Sequence, residues 1–275
     1  MAVKQPDLTA EIVGDLRRWK KLTLEHGHAP WVRVTDVNKM GRRHLVECPK
    51  QKRTIHLLSD GEYRAYQILI WRPNVIAVYE QVPLHIPSTL KIARQLNIVH
   101  HKNYETNEAY VVSTDFVVHE VNLKSKQIEK IAYSFKYFDQ FYRLDERGKP
   151  VLKRGRTLQK QKIEREYWRK KGVIFRLITE LNATKAKCWN IDWFTQAFGI
   201  EVDKHTQIKF CELFLEHWYL APLSTIQDHI DFACKKLLLS KKQGITLFKL
   251  SALDQLLPLD LSEKLKLYYP VKLVS

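Results

Sequence analysis

One stretch of the sequence decides the fold: Ala109-Tyr110-Val111-Val112-Ser113-Thr114-Asp115-Phe116-Val117-Val118-His119-Glu120-Val121. It is rich in β-branched and apolar residues at odd and even positions alike, so both faces of a strand formed here would be apolar. Such a strand is typical of a sheet that is covered on both sides. The sequence therefore predicts a buried strand over residues 109–121.

The residues that follow complete a unit of two strands and a helix. A second strand is predicted over residues 128–138. A helix is predicted over residues 157–171, with Thr157 as its N-cap and Gly172 just past its end, where a left-handed residue ends many helices. Residues 173–178 return as a strand. This order predicts an α/β (α+β) fold, with a mixed sheet flanked by helices.

The segments before and after this unit are predicted to contain different kinds of elements. Before it, short elements are predicted: a helix at 8–24, strands at 43–49 and 53–57, a helix at 59–71, a strand at 75–81 and a helix at 88–96. After it, three helices are predicted at 187–198, 203–220 and 225–239, the third with the capping pair Ser224/Gln227, then a strand at Ile245–Leu250, a helix at 251–257 and a strand at Lys266–Leu273. This pattern favours a winged-helix-like domain. We therefore expect two domains, residues 1–180 and 181–275.

The positive charge is concentrated in the first domain. The net charge is +16, and residues 1–180 hold 34 basic against 20 acidic residues, whereas residues 181–275 hold 12 against 10. A basic surface binds polyanions because neutralised phosphates release counterions. The alternative is a basic domain without a nucleic-acid partner.

Several protein classes are disfavoured by what the sequence lacks. No run approaches the roughly 18 apolar residues of a membrane span, and residues 1–7 have no apolar signal-peptide core. A cytoplasmic protein without a membrane partner is therefore expected. The four cysteines have no zinc-like or disulfide-like spacing, which favours buried reduced thiols. No GxxxxGK[ST] run indicates a P-loop.

Asp115 and Lys136 are the first candidates for chemistry. A carboxylate within an apolar strand is costly to bury unless something pairs with it. Lys136 follows on the second strand, where period-two alternation puts it on the face of Ser134. If the two strands pair, Asp115 meets this face at one end of the sheet. The alternatives are an Asp115 that bonds a turn and a solvated Lys136.

Glu62 is the third candidate. Ser59-Asp60-Gly61-Glu62 has the spacing of a capping box, in which Glu62 would close the helix N-terminus. Glu62 also shares a helical stripe with Tyr66 and Leu69, which directs it toward the protein interior. Spacing alone leaves both interpretations open.

The predicted helix at 157–171 is the strongest candidate for nucleic-acid binding. Residues 153–171 contain nine basic and two acidic residues. One face would pack on the sheet, and the other could follow phosphates. The alternative is a solvated basic face. The candidate DNA-binding residues are Lys153, Arg154, Arg156, Lys160, Lys162, Arg165 and Arg169.

Five stretches, taken in order, resemble the TnsA family, the endonuclease subunit of heteromeric cut-and-paste transposases. They are Ile55-His56-Leu57-Leu58-Ser59-Asp60-Gly61-Glu62, Tyr79-Glu80-Gln81-Val82-Pro83-Leu84, Ser113-Thr114-Asp115-Phe116, Ile163-Glu164-Arg165-Glu166-Tyr167-Trp168 and Ile178-Thr179-Glu180. The resemblance runs from about residue 30 to residue 182 and is much weaker beyond. It implies a domain similar to type II restriction enzymes, with a Glu…Asp…(Glu/Gln)-x-Lys constellation.

The resemblance implies roles for particular residues. The catalytic glutamate, aspartate and lysine fall on Glu62, Asp115 and Lys136. The implied ligands of Mg²⁺ (or Mn²⁺) are Glu62, Asp115, Ser134 and the Phe135 carbonyl. Glu164 would lie on the helix behind them, where it would either support these ligands or only balance the local positive charge.

Two positions depart from the family pattern. Ser134 stands where the family has Glu or Gln, and Tyr137 stands where it has Pro. A hydroxyl binds Mg²⁺ less well than a carboxylate does. A weakened or metal-fastidious nuclease is therefore an alternative.

The resemblance further implies cleavage of the 5′, non-transferred strand at transposon ends. The implied partners are transposon-end DNA, a TnsB-type transposase and a TnsC-type ATP-dependent regulator, the last contacted by the nearly neutral C-terminal domain. In chemical terms, a metal would neutralise charge on the phosphate and activate a water, and Lys136 would stabilise the transition state. Two alternatives remain, an adaptor that binds without cutting and a stand-alone restriction or repair nuclease.

Overall fold

The structure, a computed structural model, describes residues 3–37 and 41–274. The chain divides into two compact units: unit 1 comprises residues 1–70 and 74–182, and unit 2 comprises residues 71–73 and 183–275. The domain boundary at 180/181 and the roles of the two domains stay predictions. The predicted absence of a signal sequence concerns residues 1–7, of which residues 1 and 2 lie outside the described part.

In chain order, the described residues form α1 (Ala10–His26), β1 (His44–Glu47), β2 (Thr54–Leu57), α2 (Asp60–Ile70), β3 (Val75–Pro83), α3 (Ile86–Gln95), β4 (Ser113–Val121), β5 (Ile128–Phe135), α4 (Phe138–Phe141), β6 (Tyr142–Leu144), β7 (Pro150–Leu152), α5 (Arg156–Lys170), β8 (Ile174–Ile178), α6 (Lys185–Thr195), α7 (Lys204–Leu220), α8 (Ile226–Leu237) and α9 (Lys241–Leu253). β1 pairs with β2, and β6 pairs with β7, each as an antiparallel hairpin.

Unit 1 is built on a four-stranded mixed sheet with the order β3-β4-β5-β8. The first three strands are antiparallel neighbours, and β8 runs parallel to β5. A parallel pair needs a crossover, which residues 136–173 supply and which includes α5. This confirms the predicted fold class, a mixed sheet flanked by helices, including the predicted strand-helix-strand unit.

Helices cover both faces of this sheet. On one face, Val117 and Ala132 pack in a core cluster with Ile163, Tyr167 and Trp168 of α5. On the other face, α2 approaches so closely that a Cβ on Gly61 would lie 1.9 Å from a ring atom of Phe135. Because residues of opposite parity on β5 point to opposite faces, α5 and α2 lie on opposite sides of the sheet.

The boundaries of α5 correct one prediction. Thr157 is not the N-cap: the helix begins at Arg156 after Gly155, which has no capping side chain. Gly172 has a φ of 69° and follows the helix end, as predicted. The second strand ends at Phe135 rather than at residue 138, because residues 138–141 turn into α4.

Unit 2 is helical. Helices α6, α7 and α8 correspond to the three predicted helices, and their core contains Phe194, Phe210, Phe214 and Phe248. The capping box of α8 is formed by Thr225 and Asp228, one residue beyond the predicted Ser224/Gln227 pair. All four cysteines of the chain are free and buried, as predicted.

The strands predicted in unit 2 were wrong. Ile245–Leu250 lies within α9, which starts at a capping box of Ser240 and Gln243. Its buried residues Gly244, Leu247, Phe248 and Ser251 have helical spacing, which outweighs the apolar run read as a strand. Residues 251–257 are no separate helix, since α9 ends at Leu253.

Lys266–Leu273 forms no strand in the described chain, and only isolated bridges join Thr225 to Pro270 and Leu259 to Leu273. The winged-helix assignment therefore stays a prediction. Among the described residues, no helix combines the length and apolarity needed to cross a membrane.

Candidate active site

Asp115 lies at the end of the ladder between β4 and β5. The last pair of that ladder is Phe116 with Tyr133, so Asp115 and Ser134 lie one step beyond it. The Asp115 Oδ2 accepts three hydrogen bonds: from Ser134 Oγ at 2.9 Å, from the Phe135 N–H at 2.7 Å and from Lys136 Nζ at 3.0 Å. The carboxylate is buried but paired, so the strand pairing assumed in the sequence analysis is correct.

Lys136 joins two oxygens of the site. Its Nζ donates to Asp115 Oδ2 and, at 2.7 Å, to the Phe135 carbonyl, while its side chain stays 30% exposed. Burial works to lower the pKa of this ammonium, but the charges of Asp115, Glu164 and Glu62 outweigh burial and raise it. Lys136 is therefore a fixed positive charge rather than a solvated strand-end lysine.

Glu62 reaches the same site from α2. Its Oε2 accepts hydrogen bonds from the Leu58 N–H at 2.9 Å and from Gln81 Nε2 at 3.3 Å, and its own N–H donates to Ser59 Oγ at 3.1 Å. Burial, followed by the charge of Asp115, raises the pKa of Glu62 to about 7. Glu62 thus both closes the helix N-terminus and faces Asp115, so the two interpretations are compatible.

The close approach at Gly61 explains why Glu62 can reach the sheet. A side chain at this position would overlap the Phe135 ring, and Phe135 supplies both an N–H and a carbonyl to the site. Glycine therefore lets the first turn of α2 lie directly on the end of β5.

Gln81 also contacts this site, although it was not predicted from the sequence. It is buried, has a φ of 48° and lies at the level of Asp115, between the ladder pairs Glu80–Phe116 and Val82–Thr114. Its amide donates to Glu62 and accepts from Ser113 Oγ at 2.9 Å. A left-handed glutamine is costly, so the surrounding contacts must hold it. Positive φ leaves no signal in a single sequence.

Ser134 is buried and forms a hydrogen bond directly with Asp115. Its hydroxyl donates to Asp115 and accepts from Gln161 Nε2 of α5 at 3.3 Å. The structure therefore brings Ser134 and Phe135 to Asp115, and their role as metal ligands stays a prediction. In this geometry the Ser134 hydroxyl donates its single proton to the Asp115 carboxylate.

Glu164 is buried on α5, on the side that faces the site. Burial, followed by the charge of Asp115, raises its pKa to about 8, although Lys136 and the Thr114 hydroxyl act in the opposite direction. Thr114 in turn accepts from Trp168 Nε1 at 2.8 Å. The Oε1 of Glu164 is buried without a hydrogen-bond partner. Near neutral pH this side chain is therefore largely protonated.

Asp115, Ser134, Lys136 and Glu164 border a cleft of about 580 Å³, whereas Glu62 and Gln81 do not line it. Its walls include Trp31, His101, Tyr110, Ser113, Asp115, Ser134, Lys136, Lys160, Gln161 and Glu164. The combination of carboxylates, ammonium groups and aromatic rings around one opening can receive a charged, planar substrate.

A divalent cation fits part of this donor set. Among the described residues, no group of three or more His, Cys, Asp or Glu side chains is arranged to hold a metal ion. However, Asp115 Oδ2 and the Phe135 carbonyl already bind a cationic group, the Lys136 ammonium. Hard oxygen donors of this kind suit Mg²⁺. Burial, followed by the charge of Asp115, raises the pKa values of both Glu62 and Glu164, and a bound cation would favour their charged forms.

The seven predicted DNA-binding side chains are all exposed, but they do not share one face. Successive helical residues turn by about 100°, so Lys162, Arg165 and Arg169 lie opposite the buried face of α5. Lys160 lines the cleft, and Arg156 lies one turn before it. Arg169 is also paired with Glu166 at 2.7 Å. Arg156 and Lys160 are thus the members nearest the acids.

Glu180 explains another of the stretches singled out in the sequence. Its carboxylate accepts from the Phe138 N–H at 2.8 Å, and the Ile178 carbonyl accepts from the Lys136 N–H at 3.0 Å. The end of β8 therefore fixes the backbone on both sides of Tyr137, directly after the site lysine.

Two comparisons show which known proteins this chain is similar to. Residues 72–180 match the family described as "TnsA-like endonuclease N terminal". The chain is 31% identical over 170 residues to the Transposon Tn7 transposition protein TnsA of Escherichia coli. The match covers 61% of this chain and 56% of that relative, so the chain spans little more than half of the relative's length.

Proposed function

We propose that this chain, whose residues 72–180 belong to the family of TnsA-like endonuclease N-terminal domains, is the DNA endonuclease subunit of a transposase. It would act at transposon ends in cut-and-paste transposition and cleave the 5′, non-transferred strand. The whole reaction and its partners are part of the proposal, since the similarity spans only part of the relative.

The observation that carries the proposal is the convergence of three side chains from separate elements. Glu62 comes from α2, Asp115 from β4 and Lys136 from the residue after β5. Lys136 contacts Asp115 at 3.0 Å, and Glu62 is close enough for the charge of Asp115 to raise its pKa. Convergence of perturbed acids and a lysine at a cleft is typical of a catalytic site.

Divalent-cation binding is part of the proposal. Glu62, Asp115 and the Phe135 carbonyl would hold Mg²⁺ or Mn²⁺, with Ser134 supporting Asp115. When bound, such an ion supplies Lewis-acid stabilisation of phosphate charge and lowers the pKa of a bound water.

The chain's own residues would then orient and stabilise the phosphodiester. The Lys136 ammonium, held between two oxygens, would donate to a phosphate oxygen as negative charge develops there. Burial and the charge of Asp115 raise the pKa of Glu62 to about 7 without the ion, and a bound cation would favour the charged carboxylate. Glu164 would remain neutral at pH 7 and would limit the negative charge facing the DNA.

DNA would approach over the basic side of unit 1. The basic excess of residues 1–180 supports this, as do Arg156 and Lys160 beside the cleft. Lys153, Arg154, Lys162, Arg165 and Arg169 would contact more distant phosphates. Unit 2, nearly neutral, would contact a TnsC-type regulator, and a TnsB-type transposase would cut and join the 3′ ends.

Reconstitution with transposon-end DNA, a TnsB-type transposase and a TnsC-type regulator tests the proposal. The expected result is a Mg²⁺-dependent 5′-strand nick that Asp115→Ala abolishes while 3′ cleavage persists. Glu105→Ala is the matched control, because it removes an exposed acid that does not line the cleft. Strand-resolved sequencing gels provide the readout.

The other candidates give different outcomes in the same experiment. Identical strand patterns for the unaltered protein and Asp115→Ala would refute the nuclease and favour a binding adaptor. Cleavage by the chain alone, without the other proteins, would favour a stand-alone restriction or repair nuclease.

A further inference from the structure

The residue that supports Asp115 from β5 is unusually short. Ser134 extends one oxygen beyond its Cβ, and this hydroxyl donates to Asp115 Oδ2 at 2.9 Å. A hydroxyl has one proton to donate. Once that proton is committed to Asp115, Ser134 can only accept from its other neighbours.

Gln161 fills the space behind this hydroxyl. It projects from α5, is 4% exposed, and donates from Nε2 to Ser134 Oγ at 3.3 Å. A hydrogen-bond chain therefore runs from Gln161 through Ser134 to Asp115. Because Ser134 must accept from the amide, its proton is directed at the carboxylate.

The other end of the Gln161 amide has no partner. Its Oε1 is buried without a hydrogen bond, and the same is true of the Glu164 Oε1 one turn along the same helix face. Both residues line the cleft beside Asp115. Leaving a buried carbonyl without a hydrogen bond is costly, so its retention at the edge of the cleft points to a ligand.

We propose that Gln161 is a positioning residue of the cation site and that Gln161 and Ser134 together do the work of one longer polar side chain at position 134. The amide nitrogen holds Ser134 on Asp115. The amide oxygen offers a neutral ligand, or an acceptor for a cation-bound water, that the serine is too short to offer. This inference rests on the proposed function, since it concerns the same site.

Binding of Mn²⁺ to the full chain without DNA tests the role of Gln161 directly. Electron paramagnetic resonance of free Mn²⁺ reports affinity without any cleavage. Gln161→Leu, which keeps the size but removes both polar atoms, should weaken Mn²⁺ binding by about 10- to 100-fold, as loss of groups that orient metal ligands does elsewhere. Gln159→Leu is the matched control, because it makes the same change two residues earlier on α5.

The exchange variant Ser134→Gln with Gln161→Leu sharpens the test. Moving the amide from the helix to the strand should restore most of the lost affinity, and a merely structural glutamine would not be rescued in this way. Thermal unfolding checks that the variants fold. If Gln161→Leu fails to fold, Gln161→Met, whose longer side chain adapts to irregular space, should show the same loss.

The outcomes separate this inference from the proposed function. Loss of Mn²⁺ binding in Gln161→Leu with recovery in the exchange variant supports the inference. Mn²⁺ binding that Asp115→Ala removes but Gln161→Leu leaves unchanged overturns the inference and spares the metal site. A double variant that binds no better than Gln161→Leu also overturns it. Equal binding by the unaltered protein and Asp115→Ala overturns both.

Discussion

The two units of this chain differ in whether they bury carboxylates. Unit 1 buries four carboxylates (Glu80, Asp115, Glu120 and Glu164), whereas none of the described residues of unit 2 is a buried carboxylate. The core of unit 2 instead stacks phenylalanine rings, such as Phe210 on Phe214 and Phe214 on Phe248. Burying charge is expensive. Unit 2 therefore folds around an apolar core without this cost. Unit 1 keeps buried acids that folding alone does not require.

Within unit 1 the acids differ again. Glu80 is fully buried, but Arg53 contacts both of its oxygens, at 2.6 and 3.0 Å. Glu62, Asp115 and Glu164 surround one contacting ammonium, that of Lys136, and two of the three acids have raised pKa values. Glu80, whose charge Arg53 balances, therefore has a structural role. The three acids around Lys136 lie at the proposed cation site.

The largest expected effect comes from replacing Arg53, which balances the charge of the buried Glu80. Arg53→Met leaves a buried carboxylate without its bidentate partner and should lower the free energy of unfolding of unit 1 by about 3–5 kcal/mol. Urea unfolding measures this. Arg169→Met breaks the exposed pair with Glu166 and should have little effect, since such pairs contribute little. Similar losses in both variants would contradict the distinction between the two kinds of acid.

Two close-contact glycines allow a matched test of the units. Gly61→Ala meets Phe135, and Gly244→Ala meets Cys234 and Ile230, so each should cost about 1–3 kcal/mol through overpacking. Only Gly61→Ala displaces the backbone that holds Glu62 and Asp115. We expect it to abolish 5′ nicking in the reconstituted reaction, whereas Gly244→Ala retains cleavage chemistry at temperatures where it is folded. Full nicking by Gly61→Ala would disprove the described path of α2 to the site.

A smaller effect is expected from Glu164→Gln. Burial raises the pKa of Glu164 to about 8, above its ordinary value of 4.5, so the folded state keeps a proton that the unfolded chain releases. The stability from this group is complete below pH 4.5 and is lost as the pH rises through about 8. Glutamine mimics the protonated form. In a chelating buffer, the variant should therefore become progressively more stable than the unaltered protein between pH 5 and pH 9. A difference independent of pH would exclude this protonation.

The smallest expected effect belongs to unit 2. His217 and His229 share a hydrogen bond of 2.7 Å between their Nδ1 atoms, in which one nitrogen donates and the other accepts. Burial, followed by the charge of His217, lowers the pKa of His229 below 6.5. The folded state then binds fewer protons than the unfolded chain, and unit 2 should lose stability as the pH falls below about 6.5. Thermal unfolding at pH 5.5 and 7.5 should show a smaller shift for His229→Gln.

The fold was predictable where one signal dominated. The doubly apolar strand around Asp115, the helix at 157–171 and the strand after Gly172 could be predicted because periodicity and a helix stop agreed. The strand at Ile245–Leu250 was predicted wrongly, since a short apolar run does not distinguish a strand from a buried helix until its packing partners are known.

The site was predictable in part. Asp115 and Lys136 could be paired from strand alternation, and Glu62 followed from the family resemblance. Gln81 and Gln161 could not be predicted, because one depends on a left-handed backbone and the other on which face α5 presents to β5. Those features arise only from tertiary packing.

The parallel pairing of β5 with β8 determines when the candidate site can assemble during synthesis of the chain. Residues 136–173 must cross over before β8 can dock, and contacts distant in sequence form late in folding. A nascent chain that has emerged as far as Lys136, one residue past β5, already contains Glu62, Asp115 and Lys136. It still lacks Gln161, Glu164 and the strand that holds Lys136 in place. The three residues that carry the proposed chemistry are therefore synthesised before the residues that hold them in place, and a chain that stops short of β8 contains the first set without the second.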